Sequence, residues 1–151
     1  MEELIRLSHG DGGKYTSILI NELFYKYFGN EILLKGSDSA VFSISKRKLA
    51  FSTDSFVVKP LFFPGGDIGK LAVCGTINDL SVSGAKPLYL GAGFIIEEGF
   101  SISDLSKIVR SMGQICKETG AMIITGDTKV VEKGDMDGLC INTAGIGVVE
   151  N

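Results

Sequence analysis

The stretch that decides the fold runs from Asp67 to Ile96, DIGKLAVCGTINDLSVSGAKPLYLGAGFII. Its first half has helical character. Asp67 can accept hydrogen bonds from the first free amides of a helix that runs to about Ser83. Between Gly69 and Ala85 only Lys70 and Asp79 carry charge. A helix apolar around its whole circumference is expected to be buried. Ile68, Leu71, Ala72, Gly75, Asp79 and Val82 fall on one stripe at steps of three and four, which predicts that Asp79 faces inward. Gly75 costs about 1 kcal/mol in mid-helix, so it is expected to permit a close approach. From Pro87 the period changes to two, and 87–96 reads as a strand. Leu88, Leu90, Ala92, Phe94 and Ile96 take one face. Gly91 and Gly93 take the other, where something must pack closely.

Working outward, residues 14–28 carry Ile18, Leu19, Leu23, Phe24, Tyr27 and Phe28 at helical spacing, and Gly29-Asn30 stops them. Residues 40–45 alternate and predict a strand. Lys46-Arg47-Lys48 reads as a turn, and a strand follows at 49–58. Residues 60–66 read as a loop. Ser101 with Asp104 forms a capping pair for a helix striped by Ile102, Leu105, Ile108, Val109, Met112, Ile115 and Cys116. Gly120 closes it. Strands are expected at 121–131 and 139–149, with a polar turn at 132–138. The order helix, two strands, helix, strand, helix, two strands predicts an α+β fold: a small mixed sheet with helices on one face. The other face needs a cover, and a second copy of the chain is the simplest one.

The composition excludes several classes. The chain has 151 residues and a net charge of −3, so no basic footprint for duplex nucleic acid is present. No apolar run is long enough to span a membrane. The start Met1-Glu2-Glu3 has no basic region before an apolar core, so no secretory signal is expected and the cytoplasm is the expected compartment. Cys74, Cys116 and Cys140 are widely spaced and His9 is the only histidine. The cysteines are odd in number and no C-x-x-C occurs, so a structural zinc site is not expected, and the thiols are expected to be small buried side chains.

Aspartate is depleted inside strands, yet Asp38, Asp54 and Asp127 lie in or at the lip of three of them, flanked by hydroxyls and glycines. Asp79 is the fourth misplaced acid. Two unit charges about 4 Å apart repel by about 4 kcal/mol at an effective dielectric of 20, so several acids sharing one site require a cation. Oxygen-only ligands suit Mg²⁺ shared with a phosphate. The expectation is that Asp38, Asp54, Asp79 and Asp127 gather around such an ion. Each acid taken alone could equally be a turn residue or a cap.

Ser8-His9-Gly10-Asp11-Gly12-Gly13-Lys14 precedes the first helix. Successive glycines permit an anion-binding nest. His9 in a glycine loop points to ligand contact or plain exposure and away from the core. No G-x-x-x-x-G-K-[ST] and no G-x-G-x-x-G after a strand occurs, which disfavours a P-loop ATPase and a dinucleotide-binding dehydrogenase. Lys129 stands two residues from Asp127, on the same face if the strand continues. No Ser-His-Asp or Cys-His machinery is visible.

Taken together, His9–Gly13, Phe51-Ser52-Thr53-Asp54-Ser55, Pro64–Leu71, Gly75-Thr76-Ile77-Asn78-Asp79-Leu80, Ser83-Gly84-Ala85, Thr125-Gly126-Asp127-Thr128-Lys129-Val130-Val131 and Asn142–Gly145 resemble the aminoimidazole-ribonucleotide synthetase (PurM-like) superfamily. They resemble most its hydrogenase-maturation branch. The likeness covers essentially the whole chain, and the Phe51–Leu80 run and the TGDTKVV segment are its specific parts.

The resemblance implies an N-terminal ATP-binding and dimerisation domain spanning residues 1–151, whose sheet joins a second copy's sheet into a barrel. It implies ATP and Mg²⁺ in a groove beside that barrel. Asp38, Asp54, Asp79 and Asp127 fall at positions associated with metal. His9, Gly10, Gly12, Gly13, Thr53, Asn78, Gly126 and Thr128 fall at positions associated with nucleotide and phosphate, the His9–Gly13 loop matching a mobile segment. Lys129 matches a lysine linked to catalysis. The implied activity is an ATP-dependent carbamoyl dehydratase that turns a cysteine S-carboxamide into a thiocyanate, the source of the iron-bound cyanide of nickel–iron hydrogenases. The implied partners are a carbamoyltransferase and an iron-carrying maturation complex. The branch also has a C-terminal domain ending in an acceptor cysteine, and none of Cys74, Cys116 and Cys140 matches it. The isolated domain is therefore expected to be inactive. Ser37 departs from the pattern, since many relatives carry a second acid there. Other enzymes of the superfamily, such as thiamine-phosphate kinase or selenophosphate synthetase, and a non-catalytic dimerisation module are the alternatives.

Overall fold

The structure is a computed structural model that describes residues 4–36, 42, 44 and 47–149. The expected strand at 40–45 and Asp38 lie wholly or mostly outside those residues. The first helix is continuous in direction but not in winding. It runs as α1 (Lys14–Leu19), a π-helical segment (Ile20–Phe24) and α2 (Tyr25–Phe28). Two short strands, β2 (Phe62–Phe63) and β3 (Gly66–Asp67), pair within the expected loop after β1 (Leu49–Phe56). Then come α3 (Ile68–Val82), β4 (Ala85–Glu97), α4 (Ile102–Thr119), β5 (Met122–Val131) and β6 (Leu139–Val149).

Four strands form one sheet in the order β1-β6-β4-β5. β4 and β5 are parallel, which requires a crossover, and α4 supplies it. The other pairs are antiparallel. Asp67 caps α3 by accepting from the amides of Gly69 and Lys70. Ser101 caps α4 through the amide of Asp104, and Gly120 ends it in the left-handed conformation. The helices lie on one face of the sheet, as the element order predicts. Ile68, Leu80, Leu90, Ile96, Leu105, Ile108, Met112 and Ile141 fill the space between.

Packing corrects the reading of α3. Its buried side is Ile68, Ala72, Val73, Thr76, Ile77 and Leu80, whereas Leu71, Asn78, Asp79 and Val82 are exposed, Val82 at 89%. The sheet and α4 cover two sides of this helix, and among the described residues nothing covers the third. Asp79 therefore does not face the core. Gly75 does permit the expected close approach: a Cβ there would sit 2.7 Å from the Phe56 ring.

Among the described residues, the face of the sheet opposite the helices is open apart from Tyr89, on which the Phe42 ring packs with centroids 4.6 Å apart. Thr53, Ala144, Gly91 and Thr125 form one cross-strand row on it, and Ser55, Asn142, Gly93 and Asp127 the next. Phe51, Ile95 and Met122 share this face, with Phe51 68% exposed. The three cysteines are free and half-buried, less enclosed than expected.

Candidate functional site

β1 and α3 bring two of the expected acids together. Ser52, Asp54 and Phe56 alternate onto the helix face of β1. The Ser52 hydroxyl donates to Asp79 Oδ2 at 3.0 Å. Asp54 Oδ2 lies 3.9 Å from where a Gly75 Cβ would stand, one helical turn before Asp79. Asp54 Oδ1 also accepts the Ser55 amide at 2.9 Å. Both carboxylates are exposed, so they coexist through solvent screening without needing a buried counter-ion. Asn78 is exposed beside Asp79 on α3.

Asp127 does not join them. It stands on β5, at the opposite edge of the sheet, three strand intervals or about 14 Å across. The expected gathering of four acids is thus not made by one chain, and among the described residues no group of three or more metal-capable side chains forms. The reason is topological: β1 and β5 are the two ends of the sheet order. Lys129 is exposed and shares the open face with Asp127, as β5 continues through both.

A second feature lies on the helix face at the β5 edge. A cavity of about 410 Å³ is bounded by Gly10, Gly12 and Thr16 on one side and by Thr125, Gly126, Asp127 and Thr128 on another. Phe24, Tyr25, Phe28 and Phe94 add aromatic walls. The π-helical segment contributes Ile20 and Phe24 to this lining. Gly126 is required by sheet geometry itself, because a Cβ there would fall 2.5 Å from the Ala92 carbonyl oxygen. The glycine loop is tightly tied. The Gly12 amide donates to Thr16 Oγ1 at 3.0 Å, and the Gly13 amide donates to Asp11 Oδ1 at 2.8 Å. His9 is 4% exposed, which overturns its expected place outside the core.

Thr53 is engaged in the sheet. Its hydroxyl donates to the Thr143 carbonyl and accepts from Asn142. Asn142 also donates to Asp54 O and Ser55 Oγ, both at 3.0 Å. Sequence reasoning missed Ser52 and the aromatic cavity wall. Ser52 could have been found from its two-residue spacing to Asp54.

Known proteins share this fold. The profile of the family "AIR synthase related protein, N-terminal domain" matches residues 36–149. The chain belongs to that family. Among the relatives of this AIR synthase related domain is a carbamoyl dehydratase HypE from Bradyrhizobium diazoefficiens. It is 56% identical over 145 residues, covering 96% of this chain and 42% of that protein. A crystal structure of hydrogenase maturation protein HypE in complex with ATP matches with a TM-score of 0.94 at 50% identity, over 96% of this chain and 43% of that one. A HypE–HypF complex matches at 0.68 and 58% identity, over 88% and 43%. The AIR synthase related domain described here thus spans less than half the length of these relatives.

Proposed function

We propose that this chain is the ATP-binding and dimerisation domain of a carbamoyl dehydratase of hydrogenase maturation. The observation that carries the reading is the division of the site between the two sheet edges. The open face carries Phe51, Ile95 and Met122, and a second copy can cover them. Two such sheets closing about a two-fold axis along a barrel set β5 of one copy beside β1 of its partner. The helix faces then run on from one chain to the next. The aromatic, glycine-lined cavity of one copy opens toward the other copy's Asp54 and Asp79.

The residues present suit Mg-ATP. Mg²⁺ is commonly held by one or two carboxylates plus phosphate oxygens and water. Asp54 and Asp79 supply those carboxylates, with Asp127 at the rim of the facing cavity and Asp38 as a further expected ligand outside the described residues. When bound, Mg²⁺ offsets charge on the phosphates. Phe24, Tyr25, Phe28 and Phe94 offer apolar surface to a base. Gly10, Gly12, Gly13, Gly126 and Thr128 let backbone and hydroxyl groups approach phosphate. Lys129 provides a cation within reach of Asp127.

In the reaction, the γ-phosphoryl group passes to the amide oxygen of a cysteine S-carboxamide. The oxygen leaves as phosphate, two protons leave nitrogen, and a thiocyanate remains. The substrate cysteine, the C-terminal domain and the homodimer belong to this proposal. So do the carbamoyltransferase partner, which the HypE–HypF complex supports, the iron-carrying maturation complex, and a cytoplasmic location, which the free thiols fit.

Calorimetry tests the reading. Wild-type chain should bind Mg-ATP, and Asp79→Asn should weaken it about tenfold, or 1.4 kcal/mol. Binding that is indifferent both to Mg²⁺ and to Asp79→Asn would overturn it.

A further inference from the structure

The N-terminal segment is clamped to the end of β4 before it reaches the glycine loop. The Ile5 amide donates to the Phe100 carbonyl and the Gly99 amide donates to the Ile5 carbonyl, both at 2.8 Å, and the Ile5 side chain is buried. A single 3-10 turn, Leu7–His9, follows. Within it the His9 amide donates to the Arg6 carbonyl at 2.9 Å. The Arg6 amide in turn donates to His9 Nδ1 at 3.0 Å. The imidazole thus folds back onto its own turn, edge-on to the Tyr15 ring with centroids 5.9 Å apart.

An Nδ1 that accepts an amide hydrogen carries no proton, so the neutral ring has its proton on Nε2. The next residue is then fixed on β5. A Cβ on Gly10 would lie 2.8 Å from Val130 N and 3.0 Å from its side chain, immediately after Lys129. Only beyond this point does the loop turn outward, with Asp11, Gly12 and Gly13 exposed and Gly12 at φ +81°.

We propose that His9 is a positioning residue: through its unprotonated Nδ1 it seats Gly10 on β5 beside Lys129 and so roots the Asp11–Gly13 loop at the mouth of the cavity. It acts on nucleotide through the loop and not by touching phosphate. This inference rests on the proposed nucleotide site for its functional consequence, but the anchoring itself is measurable without any nucleotide.

Asn and Gln separate the roles. Asparagine Oδ1 occupies nearly the place of histidine Nδ1, whereas glutamine moves the acceptor outward by one carbon. Since His9 is the only histidine, a ¹⁵N-histidine spectrum of the full chain reports its tautomer without ambiguity. The expected spectrum shows an unprotonated Nδ1 and a protonated Nε2. His9→Ala and His9→Gln should speed amide exchange at Gly12 and Gly13 at least tenfold and weaken Mg-ATP binding about tenfold. His9→Asn should restore both toward wild type. A protonated Nδ1, or unchanged exchange in His9→Ala, overturns the anchoring. Equal loss in the Asn and Gln variants does so too, because it makes His9 a space-filler. Faster exchange with undiminished Mg-ATP binding, while Asp79→Asn still weakens it, overturns the positioning role and spares the nucleotide site. Wild-type chain that binds no Mg-ATP overturns that site, and the positioning role with it, even where the exchange data show the anchor.

Discussion

Thr76 and Thr143 show how a buried polar pair helps hold α3 to the sheet. Their hydroxyls meet at 2.7 Å, and Thr143 Oγ1 donates to the Ala72 carbonyl at 2.9 Å. Thr143 spends its one proton on Ala72, so Thr76 must donate to Thr143. Both side chains are fully buried. Thr143→Val leaves the Thr76 hydroxyl without its acceptor and should cost about 1–3 kcal/mol in urea unfolding. The Thr76→Val and Thr143→Val pair together should be closer to wild type than Thr143→Val alone, because no orphaned donor remains. Cys116 is chemically quiet for a related reason. Burial pushes its thiol up to about 12, so at neutral pH it holds almost no thiolate. It should stay unlabelled by a thiol reagent in the folded chain and react once urea unfolds it. The sequence made Asp67 readable as a cap, because the partners of a cap lie within three residues. It made Asp79 misleading. A helical stripe states which side chains share a side, and only the packing of distant elements decides which side is covered.

At the scale of elements, glycine positions carry the close contacts. Gly69 stands where α3 crosses α4: a Cβ there would lie 2.5 Å from the Ile108 carbonyl oxygen and 2.8 Å from the Met112 side chain. The obstacle is backbone, so it cannot rotate away. Gly69→Ala should therefore destabilise by about 1–3 kcal/mol, measured by thermal or urea unfolding, despite alanine's better helix propensity. The turn between β5 and β6 depends on Glu97. Its carboxylate accepts from the Gly134 amide at 2.8 Å and the Gly138 amide at 3.1 Å, and these bonds hold its pKa below the ordinary glutamate value. A depressed carboxylate contributes stability that is present above its unfolded pKa and is lost as pH falls through the folded one. The 134–138 turn should therefore loosen on the acid side of the ordinary glutamate range, seen as faster amide exchange at Gly134 and Gly138. Glu97→Gln should show faster exchange at neutral pH and a weaker dependence on acid. Most elements were legible because period, caps and glycine stops agree locally. The π-helical segment and the β2–β3 pair were not, since both depend on small hydrogen-bond shifts that leave the hydrophobic pattern intact.

The whole molecule poses a question that one chain cannot answer by itself: why its acids sit on opposite edges. If a closed two-fold dimer joins the edges, each site takes Asp79 from one copy and Asp127 from the other. Asp79→Asn and Asp127→Asn should each weaken Mg-ATP binding about tenfold when made alone. Mixing the two variants through an unfolding and refolding step then gives a specific outcome. Random pairing makes about half of the dimers mixed. In each mixed dimer one site collects both lesions and the other collects none. About a quarter of all sites should therefore bind as wild type, which calorimetry reads as a stoichiometry near a quarter with wild-type affinity. A site confined to one chain predicts no recovery, because every chain carries a lesion. Phe51→Asp on the open face provides the control. A charge placed where the two sheets meet should shift sedimentation from dimer to monomer, and the mixed sample carrying it should lose the recovered quarter even though Phe51→Asp itself alters no acid.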